Sequence, residues 1–145
     1  MKKNNPTICS NIKVTWHAIA RLYNEQGAKH GVSTSVGFVL LNIGKEDGIP
    51  ATKIAPALGM EPHGLSRILK NLEEENFIYK KKDEKDKRLV KVYLTEKGKE
   101  AKDVAKIVVK KFNNAIKQEI SESKLTIFNE VIEKINFIIS EKKIY

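Results

Sequence analysis

Apolar residues along most of the chain recur at helical spacing. Ile8, Ile12 and Trp16 lie four residues apart, and Tyr23 follows seven residues later. These steps place the side chains on one face of a helix. The pattern therefore predicts an amphipathic helix over residues 8–30.

A second helix is predicted to begin at Ser33 or Thr34, because both residues are good N-caps. It is apolar on nearly every side from Val36 to Ile43, and Gly44 is a suitable end. A helix without a polar face is typical of a buried central element.

Two short helices are predicted next, at residues 51–58 and 62–75, with a break at Gly59. Pro62 suits the first position of the later helix, where its missing N–H needs no partner. Pro56 would delete a backbone hydrogen bond inside the earlier helix, which predicts that this helix is kinked or starts late. The inward stripe of the later helix is Leu65, Ile68, Leu69 and Leu72.

An alternating segment follows the short helices. Val90, Val92 and Leu94 occupy every second position, which is the spacing of a β-strand. The pattern predicts strands at residues 77–81 and 89–94, joined as a hairpin by a charged connector.

Two long amphipathic helices are predicted in the last third of the chain. Thr95 is a good cap for the first, over about residues 96–118. Ser121 or Ser123 is expected to open the last helix, over about residues 122–141.

The order of these elements predicts a fold that is mainly α with a small β-hairpin. Two short helices joined by a Gly-containing turn are typical of a helix-turn-helix, and the hairpin makes the unit a winged helix-turn-helix at residues 33–95. The terminal helices, residues 8–32 and 96–141, carry more apolar surface than this lobe can cover. We therefore expect one domain, residues 1–145, that dimerises through its N- and C-terminal helices.

The net charge of the chain indicates what kind of partner it binds. The chain has 27 Lys and Arg against 18 Asp and Glu, a formal net charge of +9. A basic balance of this size favours a polyanionic partner, most often nucleic acid. The strongest cluster is the unbroken charged run from Lys80 to Arg88, which lies in the predicted hairpin connector.

Other classes of protein find little support. The single cysteine excludes an intrachain disulfide and a Cys-rich zinc site. No metalloprotease, phosphate-loop or hydrolase motif is present, and the scattered His17, His30 and His63 do not form a cluster, so we expect no catalytic residue, metal or cofactor. Neither a signal peptide nor a membrane span is indicated, because the longest purely apolar run is Phe38 to Leu41. We expect a cytoplasmic protein that has no membrane partner.

The segment DKRLVKVYLTEKG, residues 86–98, carries a family resemblance. Asp86 and Arg88 are followed by an alternating strand, then by Leu-Thr at 94–95 and by Gly98. Together with LSRILKNLEEENFIYKK before it, the chain resembles the MarR family of bacterial transcription regulators from about residue 10 to residue 140. Asn76 stands where the family usually has Gly, a position that often needs positive φ, and Asn tolerates that conformation better than most residues.

The resemblance implies a homodimeric, sequence-specific regulator of transcription, most often a repressor, on a pseudo-palindromic DNA operator. In the hairpin, or wing, Arg88 is the candidate for the minor groove, where A·T-rich sequence attracts Arg. Asp86 is expected to hold the turn by accepting hydrogen bonds from the backbone or from Arg88. The lysines expected to meet phosphates include Lys82, Lys85 and Lys87, with Lys80 and Lys81 beside them.

The helix at 62–75 is the candidate recognition helix, whose first turns reach base edges in the major groove. Arg67 can pair with guanine O6 and N7, and Gly64 favours a close approach to DNA. The candidate residues on this helix are His63, Gly64, Ser66, Arg67 and Lys70. Thr52 can offer its hydroxyl to a phosphate or serve only as a helix cap, and we favour the cap.

A ligand or redox site is also implied by the resemblance. Cys9 precedes Ser33 by 24 residues, the spacing of the reactive cysteine in the branch of the family that senses organic hydroperoxides. Tyr23 falls where that branch has a tyrosine hydrogen-bonded to the thiolate. The alternative, which we favour, is that Cys9 is a small buried hydrophobic residue. Relatives also bind small, often aromatic, anions beside the dimer helices, where Trp16, His17 and Arg21 are candidates. For Trp16, which lies on the apolar stripe, we favour a place in the core instead.

Two other interpretations of the winged helix remain open. One is a protein–protein interaction module in which the basic run only increases solubility. The other is an architectural protein that binds DNA without sequence preference.

Overall fold

The computed structural model describes residues 5–142 and 144–145, and the chain divides into two compact units, Met1–Val109 and Lys110–Tyr145. The first unit contains α1 (Ile8–Ala28), α2 (Thr34–Leu41), β1 (Ile49–Pro50), a 3-10 turn (Ala51–Lys53), α3 (Ile54–Leu58), α4 (Pro62–Glu74), β2 (Ile78–Lys82) and β3 (Val90–Leu94). Helix α5 (Glu96–Glu119) begins in the first unit and ends in the second, which also contains α6 (Glu122–Ser140). The predicted fold, mainly α with a winged helix-turn-helix, is confirmed.

Helix starts follow the predicted caps. Ser33 Oγ accepts the N–H of Val36 at 3.3 Å at the start of α2. Thr95 Oγ1 accepts the N–H of Gly98 at 3.0 Å at the start of α5. Each bond satisfies a backbone donor that the helix itself leaves unpaired.

The sheet has one strand more than the predicted hairpin. β1 pairs antiparallel with β3, with Ile49 opposite Val92, and the strand order is β1-β3-β2. The sequence pattern predicts no strand at residues 49–50, because Gly48 and Pro50 are both typical of turns. Pro50 is tolerated here because an edge strand does not need every N–H for pairing.

The segment before Gly59 begins late as an α-helix, as Pro56 predicts. Residues 51–53 form a 3-10 turn, and regular α-helix starts only at Ile54. Pro56 therefore lies in the first α-helical turn, where a missing N–H costs nothing.

The core lies in the first unit, between α2, α3, α4, the sheet and the first turns of α5. Its largest fully buried side chains are Leu40, Ile43, Ile54, Leu72, Ile78, Val39 and Val92. Lys102 of α5 is buried beside them, and its Nζ donates to the carbonyls of Leu41 and Ile43 at the end of α2. Burial lowers the pKa of Lys102, and the positive charges of Lys106 and Lys45 lower it further.

Within residues 5–142 and 144–145, no helix is both long and apolar enough to cross a lipid bilayer.

Candidate nucleic-acid interface

Helix α4 has two distinct faces. Leu65, Leu69 and Leu72 are buried in the core of the first unit. The opposite face is exposed and carries all five recognition-helix candidates: His63, Gly64, Ser66, Arg67 and Lys70. The apolar stripe thus fixes the helix and turns its polar face to solvent.

Two details of this exposed face affect its chemistry. Ser66 Oγ donates to the carbonyl of Pro62 at 3.0 Å, so its hydroxyl hydrogen is already used within the helix. A methyl group added at Gly64 would meet only Met60 Cε, at an ordinary 3.7 Å. The fold itself therefore does not require glycine at position 64.

The end of α4 is closed by a left-handed residue. Asn76 has φ 61°, as predicted from its place in the family pattern. The N–H of Phe77 then donates to the carbonyl of Leu72 at 2.9 Å, which is the closing bond of a Schellman motif. Phe77 is buried and β2 starts directly after it.

The start of α5 supports this junction. Thr95 Oγ1 donates to the carbonyl of Asn76 at 2.6 Å, and Lys97 Nζ donates to the carbonyl of Glu75 at 2.7 Å. A Cβ at Gly98 would lie 2.0 Å from the carbonyl oxygen of Phe77. This close approach explains why the Leu-Thr segment is followed by glycine.

Thr52 is exposed in the 3-10 turn, but it is not a cap. The cap positions of the 3-10 turn and of α3 are Pro50 and Lys53, and neither makes a side-chain cap bond. The favoured interpretation of Thr52 as a helix cap is therefore wrong, because the α-helix starts at Ile54, three residues later than predicted. Its role toward phosphate stays a prediction.

The wing is formed by β2, β3 and the tip, residues 83–89, that joins them. Tyr79 pairs with Tyr93 and Lys81 with Lys91 across the strands. The two tyrosine rings are stacked, with centroids 5.4 Å apart. The candidate lysines Lys82, Lys85 and Lys87 are all exposed, as are Lys80 and Lys81. The lysine side chains therefore form a solvated basic surface around the tip.

Asp86 and Arg88 are brought together at the tip. Asp86 Oδ1 accepts the backbone N–H of Arg88 at 3.1 Å and its Nε–H at 3.3 Å. The Arg88 side chain is 94% exposed. An ion pair this exposed adds little stability, but it restricts where the guanidinium lies.

Asp83 is an organising residue that sequence reasoning left unexplained. Its Oδ2 accepts the N–H groups of Lys85 at 3.1 Å and Asp86 at 3.0 Å, and its Oδ1 lies 3.4 Å from Lys91 Nζ. The hydrogen bond from the Asp86 backbone, followed by that from Lys91, lowers the pKa of the Asp83 carboxyl. The sequence does contain a signal for this role. An Asp side chain in a turn often accepts backbone N–H groups that follow it closely in the chain, and Lys85 and Asp86 follow Asp83 by two and three residues.

The ligand and redox candidates lie on α1. Cys9 is exposed, so its interpretation as a buried hydrophobic residue is wrong for the isolated chain. It lies on the same continuous helix as Tyr23 but fourteen residues away. At 1.5 Å per residue this is a separation of about 21 Å. A thiolate–tyrosine hydrogen bond within one chain is therefore excluded, and only a second copy could supply one.

Trp16, His17 and Arg21 are all exposed in the single chain. Trp16 is 46% exposed and its ring lies 5.8 Å from that of Phe38, so the interpretation of Trp16 as core is wrong for the isolated chain. Tyr23 is half-buried, and burial raises the pKa of its hydroxyl.

An apolar cavity lies beside Tyr23. It is lined by residues of α1, α2 and α5, including Gly37, Phe38 and Val108, and has a volume of about 30 Å³. This is room for about one or two water molecules, whereas ligand pockets usually measure roughly 300–1,000 Å³. An aromatic anion would not fit without an opening of these helices.

No group of three or more His, Cys, Asp and Glu suited to a metal ion occurs in the part of the chain that the structure describes.

Comparison with known proteins shows that this chain is similar to transcriptional regulators. The profile of the MarR family matches residues 33–90, which span the predicted DNA-binding lobe as far as the start of β3. The HTH-type transcriptional regulator SarZ of Staphylococcus aureus (strain USA300) is 28% identical over 94% of this chain and 93% of its own length. The HTH-type transcriptional regulator TtmR of Methylorubrum extorquens (strain PA1) is 30% identical over 63% of this chain, which covers 47% of TtmR, about half its length.

The fold has solved counterparts. The crystal structure of the S. aureus MepR–DNA complex aligns with a TM-score of 0.81 at 20% identity, covering 89% of this chain and 96% of that one. Fold and recognition-helix geometry define a winged helix-turn-helix protein. Residues 33–90 of this chain match the MarR family, and the relatives named above are transcriptional regulators.

Proposed function

We propose that the chain is a sequence-specific double-stranded DNA-binding transcription regulator that works as a homodimer. The observation that carries the proposal is the two-faced α4, which buries Leu65, Leu69 and Leu72 and exposes Arg67 and its neighbours. This is the arrangement that lets a helix insert side chains into the major groove. Repression is the proposed mode, acting on a pseudo-palindromic operator in the cytoplasm.

The wing supplies a second contact in this proposal. Arg88 extends from the tip with 94% of its side chain exposed, and lysines surround it. An Arg of this kind suits a narrow A·T-rich minor groove, and the lysines suit phosphates. SarZ and TtmR are named as transcriptional regulators and MepR was crystallised with DNA, which supports the same function here.

Exposed apolar side chains support the homodimer. On α1, Ile8 is 68% exposed and Ile12 is 45% exposed. On α6, Phe128 and Val131 are also more than half exposed, and among the described residues of α6 none is buried. Apolar surface of this extent favours burial against another surface, and a two-fold dimer would place the recognition helices in successive major grooves.

Control by a small ligand or an oxidant is the remaining part of the proposal. Cys9 is exposed, as a thiol must be to meet a peroxide. If Cys9 is the sensor, hydroperoxide will release DNA from the wild-type chain and not from Cys9→Ser. The same response from both chains would end the redox proposal.

The central test is selection of duplexes from a random pool, followed by anisotropy titration of the selected duplex and a scrambled one at two salt concentrations. We expect tight binding of the selected duplex, with two half-sites about one helical turn apart. Equal affinity for both duplexes would instead indicate an architectural protein. No binding at low salt would indicate a protein–protein module.

A further inference from the structure

The wing tip is organised by a short chain of polar contacts. It starts on β3, where Lys91 Nζ lies 3.4 Å from Asp83 Oδ1. Asp83 Oδ2 holds the N–H of Asp86 at 3.0 Å, and Asp86 Oδ1 in turn holds Arg88 through its backbone N–H and its Nε–H. Lys91 therefore holds the Asp83 carboxylate, Asp83 holds the backbone of Asp86, and the Asp86 carboxylate holds Arg88.

Backbone hydrogen bonds close the tip at its base. The N–H of Asp83 donates to the carbonyl of Leu89 at 2.8 Å, and the N–H of Leu89 donates to the carbonyl of Asp86 at 2.9 Å. The Asp83 side chain is 20% exposed, whereas that of Glu84, next to it, is 86% exposed. The two neighbouring acids therefore have different surroundings although they carry the same charge.

We propose that Asp83 is a positioning residue for DNA binding, which sets the backbone at Asp86 so that Arg88 is held ready to enter the groove. The inference rests on the proposed DNA-binding function and deepens it. If the tip is already formed before binding, DNA binding does not include the free-energy cost of ordering a disordered loop. Glu84 serves as the comparison, because it makes only a 3.6 Å pair with Lys81.

Electrostatics alone predicts the opposite effect. Removing an acid from a surface that meets phosphates raises the chain's formal net charge of +9 by one and should strengthen DNA binding. Glu84→Ala should follow this rule. Asp83→Ala should break it, because the loss of tip order outweighs the gain in charge.

The test uses full-length chains and a duplex that the wild type selects from a random pool, titrated by anisotropy. We expect Glu84→Ala to bind at least as tightly as wild type and Asp83→Ala to bind roughly three- to tenfold more weakly. Asp83→Asn has the same charge change as Asp83→Ala but keeps an oxygen that can accept the two N–H groups, so it should bind more tightly than Asp83→Ala. Equal binding by these two variants would overturn the proposal.

A double-mutant cycle tests whether Asp83 acts through Arg88. In an Arg88→Ala background, Asp83→Ala should cause no further weakening, because no guanidinium remains to be positioned. The same loss in both backgrounds would show a general effect on the wing and overturn the proposal. Asp83→Ala binding as tightly as Glu84→Ala would do so as well.

Amide hydrogen exchange adds a measurement that needs no DNA. The N–H groups of Asp86 and Arg88 should exchange faster in Asp83→Ala and stay unchanged in Glu84→Ala; unchanged exchange in both variants would overturn the proposal. A wild-type chain that binds no duplex would overturn the proposed function and this inference with it. Normal wild-type binding with Asp83 behaving like Glu84 would overturn this inference alone.

Discussion

Helix α4 and the wing tip both face solvent with basic side chains, but different forces hold them in place. α4 is anchored by three buried leucines, and its polar face is exposed on the opposite side. At the tip, the side chains of residues 84–88 are exposed, and its shape depends on carboxylates that accept backbone N–H groups. A buried apolar stripe contributes several kcal/mol, whereas exposed polar contacts contribute little to global stability.

Because of this difference, substitutions in the two regions should affect different properties: the stability of the fold or the placement of a side chain that contacts DNA. A substitution under α4 should affect the whole fold, and DNA binding only as a result. A substitution at the tip should leave the fold intact and change the placement of one arginine.

The largest expected effect is on the free energy of unfolding of Leu72→Ala. Leu72 is 1% exposed, so its truncation should cost about 2–5 kcal/mol through lost burial and the remaining cavity. Arg88→Ala should change this free energy by less than about 0.5 kcal/mol, as surface substitutions usually do. Urea unfolding followed by circular dichroism measures both, and equal losses would remove the distinction between the two regions.

Base contact by α4 should give the next largest effect. Arg67→Ala is expected to cost about 1–3 kcal/mol on the selected duplex and to relax the preference at one base pair. Lys87→Ala at the tip should weaken all duplexes nearly evenly and lower the salt dependence by about one phosphate contact. Anisotropy titrations of base-substituted duplexes at several salt concentrations measure both effects. An even loss over all duplexes for Arg67→Ala would assign it to phosphate instead.

Gly64→Ala should change stability and DNA affinity in opposite directions. Alanine is a better helix former by about 0.8–1.0 kcal/mol, and the added methyl group has only an ordinary contact with Met60. We therefore expect a higher melting temperature together with weaker binding of the selected duplex. A stabilised variant with unchanged affinity would remove Gly64 from the interface.

The smallest effect concerns pH and is confined to the tip. The folded pKa of Asp83 lies below its unfolded value, chiefly through the hydrogen bond from Asp86 and then through Lys91. Its contribution is therefore complete above the unfolded value of about 3.9 and is lost as pH falls through the folded pKa. NMR titration of the Asp83 carboxyl carbon should show this, and Lys91→Met should move the midpoint part of the way back. A midpoint at the ordinary Asp value in the wild type would contradict the tip geometry.

Helical spacing and caps predicted most of the fold, because each depends on residues close in the sequence. Ser33 and Thr95 mark helix starts by local chemistry, and Asn76 marks a left-handed turn. β1 was missed because two residues, one of them Pro50, carry no periodic signal and are paired only by a distant strand. Spacing also placed Trp16 on the apolar face of α1, but it could not show what covers that face.

The candidate DNA-binding residues on α4 are together on one exposed face, since the inward stripe determines the outward one. Asp83 was not predicted because its role depends on which N–H groups return to it when the tip folds. Thr52 was assigned to the wrong local role because a 3-10 turn replaced the first α-helical turn. These contacts arise from backbone geometry that residue types alone do not encode.

The uncovered apolar side chains of α6 have a consequence for the abundance of the protein in the cell. In the proposed homodimer these side chains are covered only by pairing, so the stability of the chain rises with its own concentration. If the number of copies of the chain in the cell fell, the number of operators occupied by its dimer would then fall more steeply than the number of copies. Gene control by such a chain would have a threshold, set by the dimerisation equilibrium as much as by the affinity of α4 and the wing for DNA.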